Sequence, residues 1–208
     1  MKTLILASSG QFLSPDKVDH FLPKPLAESK ILYITTASKK VNDIGYVELT
    51  RQKMNDSNLS YTEFDITGKT EEELKKALDS IDIIYVEGGN TFYLLKSVRK
   101  SGFDKVVKGA IEKGVVYWGA SAGSYIACPS IIMATMSDRF DRFGVTDYTA
   151  MNLVPFLIKA HYTPEALGSL KEKAKDLPQP LRVLTDDQAV LARDGEIQLI
   201  GGGEELIL

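Results

Sequence analysis

Cysteine is nearly absent from this sequence, whose 208 residues include one, Cys128. A single cysteine cannot form an internal disulfide, so the fold does not depend on an oxidising compartment. An excess of basic residues is also missing, because 25 Lys and Arg stand against 28 Asp and Glu and the net charge is −3. A nucleic-acid-binding surface needs such an excess. We therefore expect no nucleic-acid partner.

Long hydrophobic runs are absent as well. No apolar stretch approaches the roughly 20 residues of a membrane-spanning helix. The apolar run at residues 4–7 is far shorter than the hydrophobic region of a signal peptide, and it predicts a buried strand instead. We expect a cytoplasmic protein with no membrane partner, folded as one domain over residues 1–208.

Apolar runs alternate with helical patterns along the chain. Strands are predicted at residues 3–7, 30–36, 59–65, 81–86 and 115–118. Helices are predicted at 42–54, from a capping box at Thr70 and Glu73, and at 91–98 and 103–113. This alternation predicts an α/β fold with a mostly parallel central sheet flanked by helices. Later segments predict a strand at 156–162, a helix at 164–175 and strands at 181–184, 189–192 and 197–200, with a C-terminal β-hairpin turning at Asp194-Gly195.

A nucleophile elbow is predicted at Ser121. The buried strand 115–118 runs into Gly119-Ala120-Ser121-Ala122-Gly123, which is a G-x-S-x-G pattern. Small residues are required two positions before and after the nucleophile, because strand and helix pass close together there. The turn would raise the serine Oγ above the sheet at a helix N-terminus, with the N–H of Ala122 as an oxyanion donor. An incidental serine in a glycine-rich turn is the simpler alternative.

A second glycine turn, Gly88-Gly89, follows the strand 81–86 and precedes Asn90-Thr91. In an α/β sheet this turn lies at the carboxyl ends of the strands, where sites form. It could supply a second oxyanion N–H from Gly88 or Gly89. Otherwise the two glycines only make the turn.

The serine needs a general base, and the sequence contains two histidines, His20 and His161. His20 lies in a mixed polar and apolar stretch typical of a helix surface. His161 lies at the end of a predicted strand and precedes a turn, which favours it as the base. Sequence spacing does not choose the acid that orients it among four candidates: Asp138, Asp141, Asp147 and Glu165.

Together these segments resemble the peptidase E family of serine peptidases, which includes aspartyl dipeptidase and related cyanophycinases. The matching segments are 86–95 (VEGGNTFYLL), 118–124 (WGASAGS), 135–138, and 152–163 with His161. The resemblance implies a fold similar to class I glutamine amidotransferases, with Ser in place of their Cys. It also implies a triad of Ser121, His161 and Asp138, with Glu165 as the alternative acid. The implied oxyanion donors are Gly88, Gly89 and Ala122.

The resemblance further implies no metal, no cofactor and a small peptide as substrate, in a monomer or homodimer. Two departures bear on specificity. Glu87 stands where the family has a first glycine, and the segments 130–133 and 164–176 lack the arginines that bind an N-terminal aspartate in the family. The chemistry of a serine peptidase is therefore expected without a strong aspartyl preference. The alternatives are a hydrolase of another small amide or ester, and a non-catalytic relative that binds a ligand.

Overall fold

The computed structural model describes residues 1–137 and 141–208 and contains a seven-stranded and a three-stranded sheet. The strands of the larger sheet are β1 (Thr3–Ala7), β2 (Lys30–Ile34), β3 (Ser60–Phe64), β4 (Ile83–Val86), β5 (Val116–Ala120), β8 (Gln188–Arg193) and β9 (Glu196–Gly201). The smaller sheet contains β6 (Leu157–Lys159), β7 (Leu181–Val183) and β10 (Leu206–Ile207). The helices are α1 (Pro15–Val18), α2 (Gly45–Asp56), α3 (Glu71–Ala77), α4 (Thr91–Ser101), α5 (Phe103–Glu112), α6 (Ala122–Ala127) and α7 (Leu167–Ala174).

The larger sheet has the strand order β3-β2-β4-β5-β1-β8-β9. Its first five strands are parallel, and β8 and β9 are antiparallel additions at the edge next to β1. The predicted α/β fold with a mostly parallel sheet is therefore confirmed. Parallel strands end at the same edge of a sheet, so the turns after β1, β4 and β5 lie side by side.

Apolar side chains cover both faces of this sheet, which is why β1, β4 and β5 read as continuous apolar runs. On one face, Leu6, Val86 and Tyr117 pack with α3 to α6. On the other face, Tyr85 and Trp118 pack with α1, α2 and the turn that follows β1. The two cores hold the central strands rigidly, and with them the turns at their carboxyl ends.

Two local features that the sequence predicts, a helix cap and a hairpin turn, are present in the structure. The Thr70 side chain accepts from the Glu73 N–H and the Glu73 carboxylate accepts from the Thr70 N–H, so the predicted capping box is present. The C-terminal hairpin joins β8 to β9 through Asp194 and Gly195, whose φ values of +47° and +94° suit a tight hairpin turn. Within the described ranges, no helix is long and apolar enough to cross a bilayer.

The strand predicted at 181–184 belongs to the smaller sheet and not to the C-terminal hairpin. Here β7 pairs in parallel with β6 and antiparallel with β10. The pairing continues past both strands, because the Tyr162 N–H donates to the Leu184 carbonyl at 3.0 Å. The chain segments that follow β6 and β7 are therefore held next to each other.

Candidate active site

The strand β5 and the helix α6 meet at Ser121, which has φ of +49° and ψ of −104°. This is a strained backbone conformation for a residue other than glycine. The two glycines of the motif allow the strand and the helix on either side of Ser121 to approach each other closely. A Cβ at Gly119 would lie 2.5 Å from the Gly123 carbonyl carbon, and one at Gly123 would lie 2.2 Å from the Val86 oxygen. The strand and helix thus pass at a distance that only glycine allows, as predicted for an elbow.

The end of β1 fixes the elbow from the neighbouring position in the sheet. The Ser121 N–H donates to the Ala7 carbonyl at 3.0 Å. The buried Ser124 hydroxyl lies 2.7 Å from that same oxygen and 2.9 Å from the Gly119 oxygen. Because the Ser121 N–H is used in this way, it is not free to stabilise an oxyanion, whereas the Ala122 N–H has no acceptor among the described residues.

His161 follows β6 and brings its imidazole to the serine. The distance from Ser121 Oγ to His161 Nε2 is 2.8 Å. The backbone of His161 has φ of +56°, a left-handed conformation that turns the chain sharply after the strand. The candidate nucleophile and the candidate base are therefore within hydrogen-bond reach, as proton transfer between such groups requires.

The carboxylate that contacts the other imidazole nitrogen belongs to Asp186. Its Oδ1 lies 2.6 Å from His161 Nδ1. The hydrogen bond from His161 lowers the pKa of Asp186 below its ordinary value, so this carboxyl group is ionised at neutral pH. A carboxylate at Nδ1 holds the proton there and leaves Nε2 free to accept the serine proton.

Of the four acids considered from the sequence, the three that the structure describes have contacts other than His161 or no recorded contact with it. Asp138 falls outside the described residues. Asp147 forms an ion pair with Arg99, and Glu165 is exposed in the short helical turn at Pro164–Ala166. Asp141 lines the cavity, and its carbonyl accepts from the Asn90 side chain at 2.9 Å.

Sequence reasoning missed Asp186 because the four acids considered lie at residues 138–165, and Asp186 follows His161 by 25 residues. A signal was present. Asp186 lies two residues after the predicted strand 181–184, and His161 lies at the end of the predicted strand 156–162. Two strands that run parallel bring such residues together at one sheet edge.

The Gly88-Gly89 turn lies against Ser121. A Cβ at Gly88 would lie 3.3 Å from Ser121 Cβ, and one at Gly89 would lie 2.4 Å from the Ala37 oxygen. The φ of +134° at Gly89 is also a conformation that side chains rarely adopt. This turn therefore requires glycine at position 89, whereas a Cβ at position 88 would crowd the Ser121 side chain.

The two N–H groups of the turn differ in their partners. The Gly88 N–H donates to the Glu87 carboxylate at 2.7 Å, whereas the Gly89 N–H has no acceptor among the described residues. Gly89 is thus the available donor of the pair. Glu87 itself is buried, accepts from the Tyr33 hydroxyl at 2.6 Å, and has a pKa raised by desolvation.

These elements surround a cavity of about 650 Å³ that opens to solvent. The lining includes Ser121, His161, Gly88 and Gly89. Further lining residues come from the turn after β1, from 40–46 and from 133–137, together with Asp141. Its cations, among the lining residues that the structure describes, are Lys40 and Lys159. Among residues 1–137 and 141–208, no group of three His, Cys, Asp or Glu side chains is arranged to hold a metal ion.

Comparison with known proteins decides the family. The model of peptidase family S51 matches residues 4–200. The chain belongs to peptidase family S51. It is therefore a serine-type peptidase, as the resemblance to peptidase E predicted.

Named relatives of this S51 peptidase agree with that assignment. It is 32% identical over 211 residues to an uncharacterized peptidase of Pasteurella multocida, covering 99% of this chain and 100% of that protein. It is 37% identical to peptidase E of Escherichia coli over 87 residues, covering 42% of this chain and 37% of that protein. A crystal structure from Listeria monocytogenes EGD-e, described as a peptidase E protein, superposes with a TM-score of 0.84 at 30% identity, covering 98% of this chain and 100% of that one.

Proposed function

We propose that this S51 peptidase hydrolyses short peptides through an acyl-enzyme, with Ser121 as nucleophile, His161 as general base and Asp186 as the orienting acid. The main support for this proposal is the continuous chain of hydrogen bonds from Ser121 Oγ through both nitrogens of His161 to Asp186, at 2.8 and 2.6 Å. This proposal assigns to Asp186 the role that the resemblance gave to Asp138.

The geometry supports the following steps. His161 Nε2 removes the Ser121 proton while Oγ attacks the peptide carbonyl carbon and its π electrons move to the oxygen. The resulting imidazolium is stabilised by the Asp186 carboxylate. His161 then gives its proton to the amine nitrogen as the C–N bond breaks. Water then attacks the acyl-enzyme while His161 Nε2 removes its proton. His161 returns that proton to Ser121 Oγ as the ester bond breaks.

The developing oxyanion needs donors that are already in place. We assign this role to the N–H groups of Ala122 and Gly89, the first at the N-terminus of α6 and the second in the glycine turn packed on Ser121. Each such donor contributes on the order of 3 kcal/mol in the transition state. The Gly88 N–H is not assigned, because it donates to Glu87.

Two features favour short peptides as substrates. The cavity of about 650 Å³ is of the size that encloses a small ligand. It also carries both signs of charge, from Asp43 and Asp141 on one hand and Lys40 and Lys159 on the other. A short peptide presents an ammonium and a carboxylate close to its scissile bond. Dipeptides are the simplest such substrates. The cytoplasmic location and the monomeric or homodimeric state stay predictions from the sequence.

The test is hydrolysis of a dipeptide library that varies the N-terminal residue, run beside matched esters and amides. We expect turnover of dipeptides and a loss of several orders of magnitude in Ser121→Ala, since the triad acts as a unit. Circular dichroism checks that this variant is folded. Ester turnover without peptide turnover would contradict the substrate class, and equal turnover by Ser121→Ala would contradict the mechanism.

A further inference from the structure

Ser8 lies directly after β1, and its side chain is completely buried. It neighbours Ala7, whose carbonyl accepts from the Ser121 N–H. Because β1 lies between β5 and β8 in the sheet, the end of β1 stands between the elbow and the segment 184–187 that precedes β8. Ser8 is thus beneath the three residues of the proposed triad and is not among the residues that line the cavity.

The Ser8 hydroxyl contacts both the base and the acid. It accepts from the His161 backbone N–H at 2.8 Å. It also lies 3.0 Å from Asp186 Oδ1 and 3.4 Å from the Leu184 carbonyl oxygen. A hydroxyl has one proton to donate. The shorter distance and the negative charge of the carboxylate favour donation to Asp186.

These contacts involve two features of the site, the backbone conformation of His161 and the position of the Asp186 carboxylate. His161 has the left-handed backbone conformation described above, and its N–H is held by Ser8. The Asp186 Oδ1 atom that Ser8 contacts is the same atom that lies 2.6 Å from His161 Nδ1. One buried hydroxyl therefore contacts both the backbone N–H of His161 and the carboxylate that lies against its imidazole.

We propose that Ser8 is a positioning residue that holds His161 and Asp186 in register with each other, so that Nε2 faces Ser121. The inference rests on the proposed function. It adds a fourth member, beneath the cavity, to the hydrogen-bond chain that runs from Ser121 to Asp186.

The charged groups that face Asp186 give the expected direction of a pH effect. The hydrogen bond from His161 is the largest influence that lowers the pKa of Asp186, and Ser8 and the charge of Lys159 lower it further, against desolvation. Without Ser8, the coupled His161–Asp186 pair holds a proton more tightly. The acidic limb of kcat/KM should then move to higher pH, because a protonated pair cannot accept the serine proton.

The first experiment compares Ser8→Ala with Ser29→Ala. Ser29 is a matched control, since it is buried and its hydroxyl donates to the Pro25 carbonyl at 3.0 Å, outside the cavity. For Ser8→Ala we expect kcat to fall about ten- to a hundredfold, as for the loss of a hydrogen bond to a charged group. KM should be nearly unchanged, and the acidic limb should shift upwards. Ser29→Ala should keep the wild-type kcat and pH profile.

The second experiment reads the imidazole directly and does not depend on activity. The chain has two histidines, so ¹⁵N-histidine labelling gives two imidazole spin systems, with His20 as internal reference. We expect a deshielded, slowly exchanging Nδ1 proton for His161 in the wild type. In Ser8→Ala this proton should exchange faster and move upfield, while the His20 signals stay in place. If Ser8→Ala does not fold, Ser8→Cys, which keeps a weaker donor, replaces it and should show a smaller change in the same direction.

The outcomes separate the two proposals. Full activity in Ser121→Ala would overturn the proposed function. Loss of activity in Ser121→Ala, combined with an unchanged kcat, pH profile and Nδ1 proton in Ser8→Ala, would overturn the role of Ser8 alone. A lower melting temperature in Ser8→Ala with those three readouts unchanged would also overturn it, since Ser8 would then serve only the fold.

Discussion

Asp186 is the residue whose substitution distinguishes the proposed triad from the one that the family resemblance implied. Its Oδ1 atom lies within hydrogen-bond distance of both His161 Nδ1 and Ser8 Oγ. In Asp186→Asn, an amide oxygen that faces these two donors can still accept from both. The Nδ1–H tautomer of His161 is then kept and the negative charge is lost. In Asp186→Ala, both the charge and the orienting acceptor are lost.

The expected magnitudes follow from this geometry. His161 and Asp186 have side-chain exposures of 49% and 46%, so solvent screens the charge that Asp186→Asn removes. We therefore expect Asp186→Asn to lower kcat by about 10²-fold, equivalent to roughly 3 kcal/mol in the transition state. Asp186→Ala should lower kcat on the order of 10⁴-fold, as removal of a triad acid does elsewhere.

The assay is steady-state hydrolysis of the best dipeptide at the pH optimum, with folding checked by circular dichroism. Asp187→Asn is the matched control, because Asp187 is the exposed neighbour whose carboxylate accepts from the Thr185 hydroxyl at 2.6 Å and does not contact His161. It should keep wild-type kcat, and Glu165→Gln should too. A severe defect in Asp138→Asn beside near-normal turnover in Asp186→Ala would refute this reasoning and return the role to Asp138.

Three further predictions concern the elbow, Glu87 and specificity. Gly119→Ala should destabilise the fold by about 3 kcal/mol, because its Cβ meets the Gly123 backbone, whereas Gly109→Ala in α5, with open space around it, should be neutral or stabilising in urea unfolding. Glu87 has a raised pKa in the folded state, so it binds a proton more tightly there than in the unfolded chain, and stability should fall as pH rises above the ordinary glutamate value of 4.5 and through the folded pKa. Glu87→Gln should remove this dependence in melting curves taken across that range, and an unchanged slope would contradict it. Asp-Leu should not exceed Ala-Leu in kcat/KM by a hundredfold, roughly 2.7 kcal/mol, because Lys159 offers a point charge and not a planar fork; a larger preference would show that another cation binds the aspartate.

Much of the fold follows from local pattern. The strands β1, β4 and β5 are short apolar runs between helical segments, and the elbow glycines are required by a strand and a helix that pass too close for any Cβ. The hairpin turn at Asp194-Gly195 is likewise a local signal. Such features depend on residues that are neighbours in sequence, so the sequence predicts them well.

The proposed orienting acid depends on a non-local pairing, and for that reason it was missed. Asp186 reaches His161 because the three-residue strands β6 and β7 pair in parallel, with partners 24 residues apart in the sequence. Strands this short give almost no periodic signal, and nothing in either segment states that it pairs with the other. The availability of Gly89, and not Gly88, as a donor depends on the side chain of Glu87, which the motif alone does not determine.

The central claim is that Ser121 forms the acyl-enzyme, and labelling with a fluorophosphonate tests it most directly. The probe is incubated with the wild type, with His161→Ala and with Ser124→Ala, which removes the serine three residues away, and the adduct is located by peptide mass spectrometry. We predict one adduct, on Ser121, in the wild type and in any folded Ser124→Ala protein, with labelling slowed by orders of magnitude in His161→Ala because the base is gone. A hydrolytically active protein that carries no adduct, or carries it on a residue other than Ser121, would contradict the account.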